Sequence, residues 1–436
     1  TICGVKHCPI SPMIFSLFMN DLPDVLSGGV HVGNTKIKVF MYADDIAVMA
    51  GSPASLQLMI NELADYFETW NLNLSLEKSK VVVFGKRAGG LARNEKWHYR
   101  GNSLDVANEY KYLGVTLTPR LEMGKHFREK VTQAKHGLNM VWGPLIKKRN
   151  IPLEAKHKVF GATTRAVVGY AAQVWGHASY EQVEVLNRYY LKKLFAVPNN
   201  TPNYILYGES GVEPLEFYYR KLQLDYLTKI LKYPAKRYPK IIAEEVITRR
   251  SAWVQDYNEL ARRCGDNEEI CQGGSATEWV QAMKQVLQRS TVMWRENLER
   301  EVRESAHHQL YAELNRDPEE GRAYLKMQDL AKIRPTFRAR AEMIQVNYKW
   351  WKEGLSNICS MCNRQEEETV YHFMADCPVL NEFRANYLKK VTLTRAELVK
   401  ILDGKTEEVS CDDLVRYIRT ATKYRKFLVE EFNYDP

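Results

Sequence analysis

Polar and apolar residues alternate along Lys36-Ile37-Lys38-Val39-Phe40-Met41, the period of a half-buried strand. An Asp-containing turn follows, and Ile46-Ala47-Val48-Met49 continues as a second strand. The period then changes. Across residues 53–70, Leu56, Met59 or Ile60, Leu63, Phe67 and Trp70 recur at helical spacing and predict an amphipathic helix. Upstream, residues 12–26 predict a short, largely buried helix with Ile14, Phe15, Phe18 and Met19 on its apolar side. Downstream, Lys80–Phe84 and Tyr110–Leu117 carry strand character, with a Gly-containing basic break at 85–90 between them. Strand, turn, strand, helix, strand describes a small α+β domain ending near residue 119.

After Pro119 the pattern becomes helical, with runs over 122–142, 152–170, 181–196, 214–232, 275–312 and 319–350. Gly265, Gly273 and Gly274 among charged residues make 256–275 an expected exposed loop or seam. A cysteine-bearing loop occupies 355–380. A last helix is expected from Ser410, whose hydroxyl can cap it while Asp412 and Asp413 occupy its first turn. Leu414, Ile418, Tyr424 and Phe427 form its apolar stripe. The expected division is 1–119, 120–235, 236–350 and 351–436.

Composition narrows the class. With 45% apolar residues and only 24 Gly and 16 Pro, the 436-residue chain has the material for packed cores, not for a disordered tail. Eight cysteines are too few for a disulfide scaffold of this length, which predicts a reduced, intracellular protein, nuclear or cytoplasmic. No uninterrupted apolar stretch is long enough to cross a bilayer, so no membrane partner is expected. The net charge of +9 admits a nucleic-acid partner without requiring one.

Two constellations carry chemistry. Tyr42-Ala43-Asp44-Asp45 sets adjacent carboxylates between apolar strands, either as an ordinary exposed turn or as ligands for a hard divalent cation. Nucleotidyl transfer uses two such cations, and Asp44 is the expected ligand with Asp45 beside it. Tyr42 would stack near a primer end or template, or simply pack the hairpin. The second constellation is Cys359, Cys362, His372 and Cys377, three thiols and an imidazole in the spacing of a structural zinc site with no open position. The alternative is free cysteines and a surface histidine. Glu366-Glu367-Glu368, between the ligand pairs, suits protein or intramolecular packing better than phosphate contact. Lys147-Lys148-Arg149 is the candidate phosphate contact, or else a cationic helix C-terminus, and Lys78, Lys80, Lys86 and Arg87 would extend a positive surface. Most tryptophans, Trp70, Trp142, Trp175 and Trp350 among them, are expected in the helical core, whereas Tyr189-Tyr190 would face nucleic acid.

Four blocks in order resemble the reverse transcriptases of non-LTR (LINE-type) retrotransposons of the jockey, R1 and R2 kind. Residues 4–22 (GVKHCPISPMIFSLFMNDL) resemble the Gly-Val…Ser-Pro segment and its following helix. Residues 40–50 resemble the Tyr-Ala-Asp-Asp hairpin, residues 71–84 (NLNLSLEKSKVVVF) the next segment, and residues 109–117 (EYKYLGVTL) the primer-grip region. Residues 169–176 (GYAAQVWG) and 197–215 look like the region behind the thumb. The resemblance implies a partial polymerase palm, then a predominantly α-helical thumb and C-terminal region with a small zinc-binding element. It implies RNA or an RNA–DNA duplex as partner, magnesium if the polymerase site is complete, and protein partners through the C-terminal region.

Two departures bear on activity. The family's first palm carboxylate and its fingers precede the Gly-Val block, and this sequence does not include them. His7 stands where the family carries Gln-Gly. The expectation is an RNA-directed DNA polymerase fragment inactive by itself. The alternative is a domesticated, non-catalytic nucleic-acid-binding or structural protein.

Overall fold

The alternating segment at 36–41 forms two strands rather than one. In the computed structural model, which describes residues 10–85, 95–265, 274–349, 354 and 356–432, β1 (Val30–Val32) pairs antiparallel with β2 (Thr35–Ile37), and β3 (Val39–Tyr42) pairs antiparallel with β4 (Asp45–Val48). The break falls at Lys38, where the chain changes partner, although the Lys38 carbonyl still accepts the Met49 N–H at 2.8 Å. The sequence blocks at Gly4–Cys8, and the residues Lys86, Arg87 and Trp350, lie outside the described residues.

The chain divides into two compact units, one formed by residues 1–128, 225–255 and 274–280, the other by 129–224, 256–273 and 281–436. In the first, α1 (Ser11–Phe18) and α2 (Leu22–Val25) replace the single helix expected over 12–26. Met13, Ile14 and Leu17 are exposed and no residue of α1 is buried, which corrects the expectation of a buried helix. Helix α3 (Pro53–Thr69) starts as its sequence dictates: the Ser52 hydroxyl accepts the Ser55 N–H and Pro53 occupies the first turn. Met59, Ile60, Leu63 and Phe67 point from one face of α3 into a core shared with Leu22, Leu26, Val39, Val81, Trp97 and Leu104. Trp70, just past the helix, is partly exposed.

Strand β5 (Lys80–Val81) pairs parallel with β7 (Asn102–Val106), which pairs antiparallel with β6 (Trp97–Tyr99). The expected strand at 110–117 is a hairpin of β8 (Tyr110–Tyr112) and β9 (Val115–Leu117). Its two turn residues, Leu113 and Gly114, have φ of +44° and +78°, the double left-handed turn whose twist matches antiparallel strands. Thus the first unit is mixed α and β, as the pattern predicts, with more chain reversals than the pattern shows.

The second unit is mostly helical. Its helices include Glu181–Phe195, Asn203–Ser210, Gln309–Glu313, Leu330–Arg340 and Cys411–Phe432. Residues 256–263, expected in a loop, are helical, and among the described residues of the expected helix 319–350 only 330–340 are α-helical. The last helix begins as expected: Ser410 Oγ accepts the Asp413 N–H at 3.1 Å. Its buried stripe is Leu414, Tyr417, Ile418 and Ala421, while Phe427 is exposed.

Gly169 and Gly176 have a local reason. A Cβ on Gly176 would lie 2.5 Å from the Ala172 and Tyr219 carbonyl oxygens, and one on Gly169 would lie 2.5 Å from the Tyr219 ring. A buried ion network ties distant segments: Arg340, fully buried, pairs with Glu209 at 2.6 Å and Asp403 at 2.9 Å.

Candidate functional site

The acidic turn sits at the tip of the β3–β4 hairpin, where Tyr42 pairs with Asp45 in the final register position. Ala43 adopts φ +53°, a left-handed conformation that costs an L-residue roughly 1–2 kcal/mol, and the ladder on both sides holds it there. Tyr42, Asp44 and Asp45 are exposed. The charge of Asp45 reaches Tyr112 on β8, whose phenol pKa is raised, first by burial and then by that carboxylate. Among the described residues, neither Asp44 nor Asp45 belongs to a group of three or more acidic, Cys or His side chains close enough to share a metal ion.

The predicted basic residues take different positions. Lys78 is exposed, and Lys80 reaches Asp105 at 2.6 Å across the β5–β7 pair. Lys147, Lys148 and Arg149 are all exposed in the turn after a π-helical segment, Trp142–Ile146. That turn is held from inside by Lys156, whose buried ammonium donates to the Ile146 carbonyl at 2.8 Å and to the Lys148 carbonyl. Sequence reasoning did not single out Lys156, and of the cation–aromatic surface in the same unit it named Tyr189 but placed Trp142 in the core. Lys193 Nζ lies 4.3 Å from the Trp142 ring centroid and 5.6 Å from that of Tyr189, and Lys135 approaches Tyr189 at 5.7 Å. Of the Tyr189-Tyr190 pair only Tyr189 faces out; Tyr190 is buried and stacks on Phe160 at 3.9 Å.

The four predicted metal ligands are brought together. Cys359, Cys362, His372 and Cys377 are buried, with ligand atoms all within 4.8 Å of one another. Cys359 Sγ lies 4.0 Å from Cys377 Sγ, and Cys362 Sγ lies 3.5 Å from His372 Nε2. The spacing works through an unexpected local structure. On an α-helix, residues five apart point about 140° away from each other, given roughly 100° per residue. Here His372–Asp376 forms a single π-turn, closed by Cys377 N–H donating to His372 C=O at 2.8 Å, which returns Cys377 toward the imidazole.

Acidic groups orient the ring. The Glu366 carboxylate lies 3.1 Å and the Asp376 carboxylate 3.7 Å from His372 Nδ1, and Arg364 donates to the same Asp376 oxygen at 3.0 Å. These hydrogen-bond acceptors leave Nε2 to face the thiols. Hydrogen bonding from Cys377 pulls the Cys359 thiol down to about 3, while Cys377 is pushed up, first by that bond and then by burial. His372 is raised: burial opposes its charge, but the Cys359 thiolate and the two carboxylates outweigh it. Four soft and borderline donors, buried and converging, fit a tetrahedrally bound metal with no open position. The acidic triplet is not one surface patch. Glu368 is fully buried, accepts the Asn347 N–H at 2.6 Å and receives both arms of Arg425 at 2.6 and 2.5 Å.

The family described as reverse transcriptase (RNA-dependent DNA polymerase) matches residues 8–117, the stretch that contains the acidic hairpin. The RNA-directed DNA polymerase from mobile element jockey of Drosophila melanogaster is 27% identical over 209 residues, covering 43% of this chain and 21% of that protein. The probable RNA-directed DNA polymerase from transposon BS of the same species is 24% identical over 217 residues, covering 48% and 24%. The Pol polyprotein of its type-2 retrotransposable element R2DM is 24% identical over 250 residues, covering 53% and 22%. The match spans only about a fifth to a quarter of the length of these relatives. No helix among the described residues is long and apolar enough to cross a membrane. The hairpin, the mostly helical region behind it and these relatives agree: the chain resembles a non-LTR retrotransposon reverse transcriptase of the jockey and R2 kind.

Proposed function

We propose that this chain is the palm-hairpin, thumb and C-terminal portion of an RNA-directed DNA polymerase, and that the 436 residues alone do not polymerise. The observation that carries the reading is the isolated pair Asp44 and Asp45 on a rigid exposed turn, with no third acidic partner among the described residues. Two divalent cations, when bound, would activate the primer hydroxyl and neutralise the leaving phosphates. The protein's own part is to hold Asp44 and Asp45 at the tip of a paired ladder, with Tyr42 beside them, so that the ligands do not move on binding. Two carboxylates with waters and substrate phosphates can hold one magnesium ion, but a two-ion site shares its ligands, and no third carboxylate of the kind the resemblance implies lies beside Asp44 and Asp45 among the described residues.

The exposed Lys147, Lys148 and Arg149 turn, with Lys193, Trp142 and Tyr189 in the same unit, supports a template–primer contact made by phosphate charge and ring stacking. Lys78, on the loop before β5, would add to the positive charge of the first unit. The Cys359/Cys362/His372/Cys377 centre is read as structural zinc, which would fix the fold of the C-terminal element.

Primer extension on an RNA template with magnesium tests the catalytic reading. No extension by the 436-residue chain, with salt-sensitive binding of an RNA–DNA duplex, is the expected result. Extension abolished by Asp44→Asn would overturn the inactivity. The second reading, a non-catalytic nucleic-acid-binding or structural protein, is favoured by the same lack of a third carboxylate among the described residues and by exposed Asp44 and Asp45. It is supported if complementing segments of the relatives fail to restore extension, and rejected if they restore it.

A further inference from the structure

We infer that Arg384 is the internal counter-cation of the Cys359/Cys362/His372/Cys377 centre, buried to neutralise the charge that three thiolates leave on a bound divalent metal. The inference rests on the reading of that centre as a zinc site. Three thiolates and a neutral imidazole around a divalent ion carry one net negative charge, and in a buried site that charge lacks water to spread into.

Arg384 lies on the helix Asn381–Leu388, seven residues after Cys377, and is fully buried. Its Nη2 donates to the Cys377 carbonyl and to Asn381 Oδ1 at 2.6 Å, and its Nε donates to the Val391 carbonyl at 2.6 Å. Nη1 is buried and has no hydrogen-bond partner. All of these acceptors are dipoles. Among the described residues no carboxylate lies within ion-pair distance of Arg384, and a guanidinium cannot shed its proton to escape the cost of burial.

Arg340, the other fully buried arginine, pairs with both Glu209 and Asp403. Arg425, which grips the same metal-binding element from the last helix, pairs with Glu368. Arg384 alone of these three has no anion, and it is the one fastened to the backbone of a metal ligand. The Tyr417 hydroxyl donates to the Phe373 carbonyl at 2.8 Å, next to the ligand His372, and it also interacts with the Arg384 guanidinium. The missing anion is therefore the thiolate centre itself.

The test compares the full chain with R384M, which removes the charge at similar volume, and R384K, which keeps the charge but not the fork. Zinc affinity is measured by competition with a chromogenic chelator, cobalt binding by its thiolate charge-transfer absorption, and stability by urea unfolding with and without metal. Expected are one zinc per wild-type chain, R384K close to wild type, and R384M weaker by about tenfold or more. The metal-free R384M loses its hydrogen bonds to Cys377, Asn381 and Val391 together with an unpaired buried charge, so its stability should fall less without metal than with metal bound. Unchanged zinc affinity in R384M overturns the inference. So does an equal affinity loss in R384K and R384M accompanied by matching loss of metal-free stability, which would mark a purely structural role. Should R384M not fold, R384K decides: wild-type affinity supports the counter-cation and a tenfold loss rejects it. A wild-type chain that binds no zinc would instead defeat the zinc reading on which the inference stands.

Discussion

The Glu366 carboxylate lies 3.1 Å from Nδ1 of His372, on the side of the ring opposite the nitrogen that faces Cys362. This relationship fixes which nitrogen carries the proton and which is left for a metal. It also raises the electron density of the imidazole, so a residue that touches no metal would govern how tightly one is held.

Glu366→Gln should therefore weaken zinc binding by about 10- to 100-fold while leaving the metal-free fold intact. His372→Ala should weaken it further, because a donor is removed outright. Chelator competition on the two variants checks the order, and equal affinities for Glu366→Gln and wild type would show that the carboxylate does not orient the ring.

Arg425 and Glu368 form a second link, from the last helix to the strand-like arm of the metal-binding element. Glu368 is fully buried and Arg425 largely so, with two parallel contacts at 2.6 and 2.5 Å. Arg425→Met should cost about 3–5 kcal/mol in urea unfolding, since it strands a buried carboxylate. The double variant Arg425→Met/Glu368→Gln should recover part of that loss. If the single variant unfolds like wild type, the pair is not a structural tie.

Gly176→Ala tests the close approach of two backbones. The added methyl would meet the Ala172 and Tyr219 carbonyl oxygens at 2.5 Å, and neither atom belongs to a flexible side chain. Destabilisation by about 1–3 kcal/mol is expected, with zinc affinity unchanged because the site is built from other segments. Urea midpoints and chelator competition measured together check both halves.

What the sequence made legible was local. The Asp44-Asp45 turn, the α3 stripe, the Ser410 cap and the metal-ligand set each lie within one short stretch of chain, and periodicity or spacing reports such relations directly. Lys38 escaped because period-two alternation says nothing about which strand a segment pairs with. Leu113-Gly114 escaped because a single Gly inside a strand pattern fits a bulge as readily as a turn, and only the ladder forces Leu113 to φ +44°. The helix expected over 319–350 failed at a more instructive place. Its apolar residues Met343, Ile344 and Val346 are buried by tertiary packing beyond the helix end, so burial mimicked helical spacing. Arg384, Arg425 and Lys156 were invisible as site-builders, because their roles come from partners in other segments. A basic residue reads as surface until its acceptor is known.

Glu342 carries the pH dependence that these contacts predict. Its backbone is left-handed, φ +53°, and its carboxylate accepts the Tyr311 N–H at 2.8 Å. Burial nevertheless raises its pKa from 4.5 to about 7, with Glu313 adding repulsion and the backbone N–H groups and Arg395 opposing the rise. A carboxyl group raised on folding favours the native state only while protonated. Its contribution is fully present below the unfolded value near 4.5 and is lost as pH climbs through 7. The loss between pH 5 and pH 8 should reach at most about 3 kcal/mol, because each tenfold change in proton affinity is worth roughly 1.4 kcal/mol. Glu342→Gln keeps the acceptor oxygen and removes the titration, so wild type should fall relative to this variant as pH rises. Urea midpoints of both proteins at pH 5 and pH 8 check the sign. A wild-type-minus-variant difference that is the same at both values, or that grows in favour of wild type at pH 8, would mean that the backbone donors and Arg395 hold Glu342 ionised throughout and that its burial is compensated.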